Sequence, residues 1–253
     1  MSGTLSVLIM TSFGLAAGIG ITAVGPGGVL VTIGLFLASG LSPAQVAGTA
    51  IVTHLATGSL GSLAYHRSGQ LRHPGTRRAA LVLAVTAVAG TPVGVFINSI
   101  APSQLFGVLL AVFLVAVALL VWFRSPQDPA GETHPHHRLA LLVCMGLGIA
   151  IVSGMFGVGG PLLTVPLLVL AGTPVLSALG AAQVQSVVVA GVGTLSYLSR
   201  GTIEWRLMLL VGAPELCGVL IGWKVARAVP ARILKRAMIV ALLTCACLAG
   251  LHG

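Results

Sequence analysis

Long apolar runs, most of them without a single charge, dominate this chain, and they leave it few ways to fold. They fall at about 5–24, 29–39, 46–66, 79–100 and 105–123 and then, past a polar stretch, at 139–156, 161–171, 176–199, 207–226 and 232–250. Most hold 18 to 24 residues, enough at 1.5 Å per residue to cross roughly 30 Å of hydrocarbon as a helix. Within lipid the backbone must satisfy its own hydrogen bonds, so apolar runs of this length predict helices. The expected fold is therefore all-α: a polytopic integral membrane protein. Charged residues make up 7% of the chain, against roughly 25% in soluble domains, which excludes a soluble α/β enzyme, a disordered chain and a disulfide-stapled module. The first four residues carry no Lys or Arg, so they lack the basic n-region of a secretory signal. The first apolar segment is accordingly expected to be retained.

The runs 29–39 and 161–171 are too short to cross. Eleven helical residues span only about 17 Å, so each reads as a half-helix beyond a break. Both occupy the same place in their half of the chain, which points to an internal repeat. A shift of 132 positions aligns 14–69 with 146–201 without a gap and matches Gly14 with Gly146, Gly25 with Gly157, Gly27 with Gly159, Gly28 with Gly160, Thr32 with Thr164, Gly61 with Gly193 and Tyr65 with Tyr197. Farther on the shift becomes 128, pairing Gly90 with Gly218 and Gly94 with Gly222. The chain thus reads as a first repeat over 1–123, a linker over 124–138 and a second repeat over 139–253, with five apolar segments in each repeat.

Loop charge orients the repeats, because Lys and Arg near segment ends accumulate on the cytoplasmic side. Arg67, Arg72, Arg77 and Arg78 follow the third segment of the first repeat, whereas Lys224, Arg227, Arg232, Lys235 and Arg236 follow the fourth segment of the second. If the repeats are inverted, eleven of the thirteen basic residues lie inside, against eight if they are parallel. Inverted repeats with a cytoplasmic linker and both termini outside are expected. Inversion needs an odd number of crossings per repeat, met either by five spanning segments or by three with a re-entrant hairpin. The formal net charge of +9 then marks topology, and no nucleic-acid partner is expected; the partners are the lipid bilayer and a small anion.

The breaks are where chemistry is expected. They read Gly25-Pro26-Gly27-Gly28 and Gly157-Val158-Gly159-Gly160-Pro161. A half-helix starting there offers unsatisfied N–H groups and the positive end of its dipole, a ready site for an anion. Paired interrupted segments in the two halves of a membrane chain point to a transporter site at mid-membrane. Thr32 and Thr164 add a hydroxyl one turn into each half-helix; the alternative is that the glycines serve close helix packing and the threonines bond to backbone carbonyls. Thr49, Thr53 and His54 on 46–66, and Gln183, Gln185 and Ser186 on 176–199, supply further polar atoms for substrate or for interhelical bonds. Glu215, an acid in the middle of 207–226, is an intramembrane ionisable residue and so a candidate coupling site. His54 is a second one, since an unperturbed imidazole titrates near pH 6.5.

Other motifs add nothing catalytic. The GxG at each break follows an apolar segment with no acid about twenty positions on, so it is not a dinucleotide loop. Cys245 and Cys247 lack ligand partners at metal spacing, and the His-rich 134–137 stretch reads as a solvated connector. No cofactor or metal is expected, and no enzyme constellation emerges. Trp122, Trp205 and Trp223 stand beside segment ends as interfacial anchors.

The duplicated GPGGVLVT and GVGGPLLTVPLL, the AGTA and ALGAAQ segments that follow, and the YHRSGQL and YLSRGTI turns resemble the TauE/SafE family of sulfite exporters. The resemblance covers nearly the whole chain. It implies secondary transport of small sulfur-containing anions such as sulfite, thiosulfate or an organosulfonate, commonly outward; an anion channel or a carrier of another small organic anion is the alternative. Pro26 stands opposite Val158, and Pro161 opposite Val29, so the two breaks are not expected to be equal.

Overall fold

A computed structural model describes residues 3–23, 26–123, 139–228 and 231–252. The linker and Gly25 lie outside the described residues. Among the described residues ten α-helices follow one another: α1 (Gly3–Ala23), α2 (Val29–Ser39), α3 (Pro43–Arg67), α4 (Pro74–Ile100), α5 (Ser103–Phe123), α6 (Leu139–Phe156), α7 (Pro161–Leu170), α8 (Val175–Leu198), α9 (Trp205–Ala228) and α10 (Ala231–His252). No strand occurs among the described residues. The protein is all-α, as its sequence predicts, and each apolar run coincides with one helix. Among the described residues six helices, α3, α4, α5, α6, α8 and α9, are long and apolar enough to span a membrane, while α2 and α7 are short.

Local chemistry sets the ends. Ser42 caps α3 in a reciprocal box with Gln45: the Gln45 N–H donates to Ser42 Oγ at 3.4 Å and the Ser42 N–H donates to Gln45 Oε1 at 3.1 Å. Proline at the first position, where no N–H is missed, opens α3, α4 and α7. Between α1 and α2 the chain makes a single 3-10 turn over Pro26–Gly28. Between α6 and α7 it turns through Gly157 at a φ of 68°, a left-handed conformation that a Cβ penalises.

The packing respects the repeat. α1 lies on α9 as α6 lies on α4, while α3 packs on α8 and α5 on α10, each against its own counterpart. The repeated glycines make the close approaches. Gly218 faces the backbone of Leu15 and Gly18, and Gly90 faces Leu147 and Ala150; Gly222 faces Ile19 and Thr22, and Gly94 faces Ile151 and Met155. Small residues let helices approach closely where lipid offers no hydrophobic drive. Along α3 and α8 the contacts run in opposite senses, from Gly48 against Tyr197, through Ile51 against Gly193 and Gly58 against Ser186, to Gly61 against Gln183. α9, by contrast, runs alongside α3 in the same direction, with Thr49 bonded to Glu204 and Thr53 facing Gly212.

Candidate anion and proton site

A small cavity, of a size that holds about one water molecule, lies where the two breaks meet. Its polar lining is Gly28, His54, Thr57, Gly159, Gln183 and Ser186, closed on the apolar side by Ile21, Pro161 and Leu162. Gly28 stands immediately before α2, and Pro161 and Leu162 form the start of α7. Both half-helix N-termini therefore border the same space. A side chain on Gly28 would strike the Cε1–Nε2 edge of the His54 ring, and one on Gly159 would meet Ser186 Oγ and His54. The glycines are what let the backbone of the breaks reach the imidazole.

Behind the ring stands Glu215. His54 Nδ1 and Glu215 Oε1 are 3.3 Å apart, with side chains 1% and 0% exposed. The two residues come from helices of different repeats, α3 and α9. Pro214 and the close packing of Gly18 on the Glu215 carbonyl fix that stretch of α9 against α1. His54 Nε2, both carboxyl oxygens of Glu215 and Gln185 Nε2 are buried without a hydrogen-bond partner among the described residues. Unpaired buried polar atoms are costly, and of these His54 Nε2 belongs to a residue that lines the cavity.

The remaining residues singled out in the sequence sit nearby with other partners. Thr32 donates to the Phe156 carbonyl at 3.1 Å, and Thr164 donates to Gln185 Oε1. Thr53 donates to the Ala50 carbonyl at 2.9 Å, while Thr49 accepts the Glu204 N–H at 3.0 Å. Gly27 packs on the α1 backbone, Gly157 on Ala47, and Gly160 on Ala182 and Ser186. The structure thus brings together Gly28, His54, Gly159, Gln183, Ser186 and, through His54, Glu215. Thr57 joins them unforeseen, although its place three residues beyond His54 puts it on the same helical face. Asn98 was also unforeseen: buried in α4, it donates to the Met155 carbonyl at 2.6 Å.

Six helices long and apolar enough to cross a membrane among the described residues, packed around broken segments and a buried polar pocket, mark a multi-pass membrane transporter. The sequence profile described as "Sulfite exporter TauE/SafE" matches residues 10–249. The chain belongs to that family. Among its relatives are a "Probable membrane transporter protein ORF9" of Sinorhizobium sp, 26% identical over 87% of this chain and 83% of its own length, and a "Probable membrane transporter protein YdhB" of Bacillus subtilis, 24% identical over 92% and 94%. A "Probable membrane transporter protein" of Xylella fastidiosa is 27% identical over 81% and 78%. No solved structure matches the chain.

Proposed function

We propose that the protein is a secondary transporter of small sulfur-containing anions, sulfite or an organosulfonate, working by alternating access. The observation that carries this reading is the convergence of two half-helix N-termini on one buried cavity beside an imidazole with a free Nε2. Backbone N–H groups and a dipole end attract an oxyanion without a fixed buried cation. Hydroxyl and amide groups on Ser186, Thr57 and Gln183 match the remaining oxygens. The outward direction follows the exporter for which the family is named. The cavity as it stands admits about one water molecule, so entry of the anion requires the breaks to part, as rocking of one repeat against the other would do.

We further propose that the repeats insert in opposite orientations, with the residue 67–78 loop in the cytoplasm. Two observations support this. The counterpart helices α3 and α8 run antiparallel, and α9 runs parallel to α3, so the basic end of α9 lies on the same side as Arg67, Arg72, Arg77 and Arg78. Arg200 and Arg206, next to Glu204, lie on the opposite side.

The test is flux of radiolabelled sulfite and sulfonates into proteoliposomes. Saturable flux that accelerates when unlabelled anion is placed on the far side is expected. Unitary currents would replace the carrier by a channel. Movement of a cation, with every sulfur oxyanion and sulfonate excluded, would overturn the anion site.

A further inference from the structure

We propose that His54 and Glu215 form a single proton-carrying pair, and that each monovalent anion enters the cavity together with one proton. The proposal rests on the reading of that cavity as the anion site.

Charge accounting in a low dielectric leads there. The buried pair is neutral overall when it holds one exchangeable proton, either as imidazolium with carboxylate or as imidazole with carboxylic acid. An anion arriving beside it leaves the centre with a net negative charge, which burial penalises steeply. A second proton restores neutrality: the pair becomes imidazolium with carboxylic acid, and His54 Nε2–H faces the anion.

The geometry suits that role. Nδ1 is turned to Glu215 Oε1 at 3.3 Å, while Nε2, unpartnered, lies on the ring edge nearest Gly28. One nitrogen faces the proton partner and the other the cavity. An intramembrane acid paired with a base is the usual construction of a proton relay.

No other group among the described residues competes for this proton. α1 and α7 contain no titratable side chain, and α8 contributes only Tyr197, whose hydroxyl donates to the Gly154 carbonyl. α3 carries its others, Tyr65, His66 and Arg67, in its last turn, and α9 has Arg206 at its start, Lys224 and Arg227 near its end, and an exposed Cys217. None of these belongs to the lining of the cavity. With no buried Lys or Arg there, the proton is the available counter-charge. Transport of a monovalent anion is then electroneutral: outward flux runs on the anion's own gradient, and an alkaline interior opposes it.

The experiment is calorimetric titration of the purified full-length protein with methanesulfonate and, separately, with sulfite, in buffers of different ionisation heat. Methanesulfonate is fully ionised near neutral pH, so any proton taken up belongs to the protein. About one proton per anion is expected at pH 7 with the wild type, and none with His54→Gln/Glu215→Gln, which keeps the neutral charge of the empty pair. Sulfite's own ionisation is subtracted using that double variant. His54→Gln alone removes the group that receives the second proton and is likewise expected to abolish the uptake. This single variant carries the test if the double variant does not fold.

Anion binding by the wild type without proton uptake overturns the coupling and leaves the transporter reading standing. So does uptake of one proton by a folded double variant. Failure of both anions to bind the wild type overturns the proposal together with the reading beneath it.

Discussion

The two breaks share their glycines and their register, yet they are held in different ways. The end of α6 is tied by three side chains from three helices: Tyr197 of α8 donates to the Gly154 carbonyl at 2.8 Å, Asn98 of α4 to Met155, and Thr32 of α2 to Phe156. Carbonyls at a helix end have no partner within the helix, so these ties satisfy groups that burial would otherwise leave orphaned. Among the described residues the end of α1 has no such set. Tyr65 matches Tyr197 in the repeat but makes no equivalent bond, Thr164 matches Thr32 but donates to Gln185, and the position matching Asn98 is Ala226. Thr22 alone reaches across, to the Val219 carbonyl at 3.2 Å. The two breaks therefore share glycines in sequence while their polar ties differ.

That contrast can be broken most forcefully at Gly157. An alanine there is strained by the positive φ and collides with the Ala47 backbone. Gly157→Ala is expected to cost about 2–4 kcal/mol, read as a loss of monodisperse protein and a lower unfolding temperature in detergent. Gly159→Ala, which meets the movable Ser186 hydroxyl, should unfold within a few degrees of the wild type.

Next in size is a functional effect. Gly28→Ala displaces the His54 ring and fills the cavity from the first break; anion flux is expected to drop about ten- to hundredfold while the protein stays folded. Wild-type flux in that variant would show that His54 is not at the anion's site.

The ties themselves come third. Tyr197→Phe and Asn98→Leu should each destabilise by about 0.5–2 kcal/mol, whereas Tyr65→Phe should change the unfolding temperature little. Equal losses at Tyr197 and Tyr65 would erase the asymmetry. Smallest of all, Glu204→Gln weakens the 3.2 Å bond from Gln45 Nε2 at the partly exposed start of α3, with an expected change within about 0.5 kcal/mol.

How much of this was legible beforehand varies with the range of the interaction. The helices were, because a long apolar run with few or no charges has one solution in lipid. The short α2 and α7 were, because eleven residues cannot span. Pairing of Gly90 with Gly218 and of Gly94 with Gly222 appeared as a shift in register, and its use in helix packing followed from residue size. Thr32 and Thr164 were legible only as hydroxyls near a break; each found a different partner because Phe156 and Gln185 come from elements whose placement no local pattern encodes. Asn98 gave no signal, standing near the end of an apolar helix beside other small polar residues. His54 and Glu215 were each conspicuous, but as two separate oddities more than 150 residues apart.

By itself, then, the sequence determined the all-helical membrane fold and the positions of the breaks. These depend on hydrophobicity and spacing over stretches no longer than one helix. Only the tertiary structure decided that a histidine on α3 and a glutamate on α9 meet at 3.3 Å beside a cavity bordered by both half-helices. A residue on a helix changes its facing by about 100° with each step of register. One step along α9 would aim Glu215 away from His54, and only the glycine-mediated packing of α9 on α1 and α3 selects the register in which they meet.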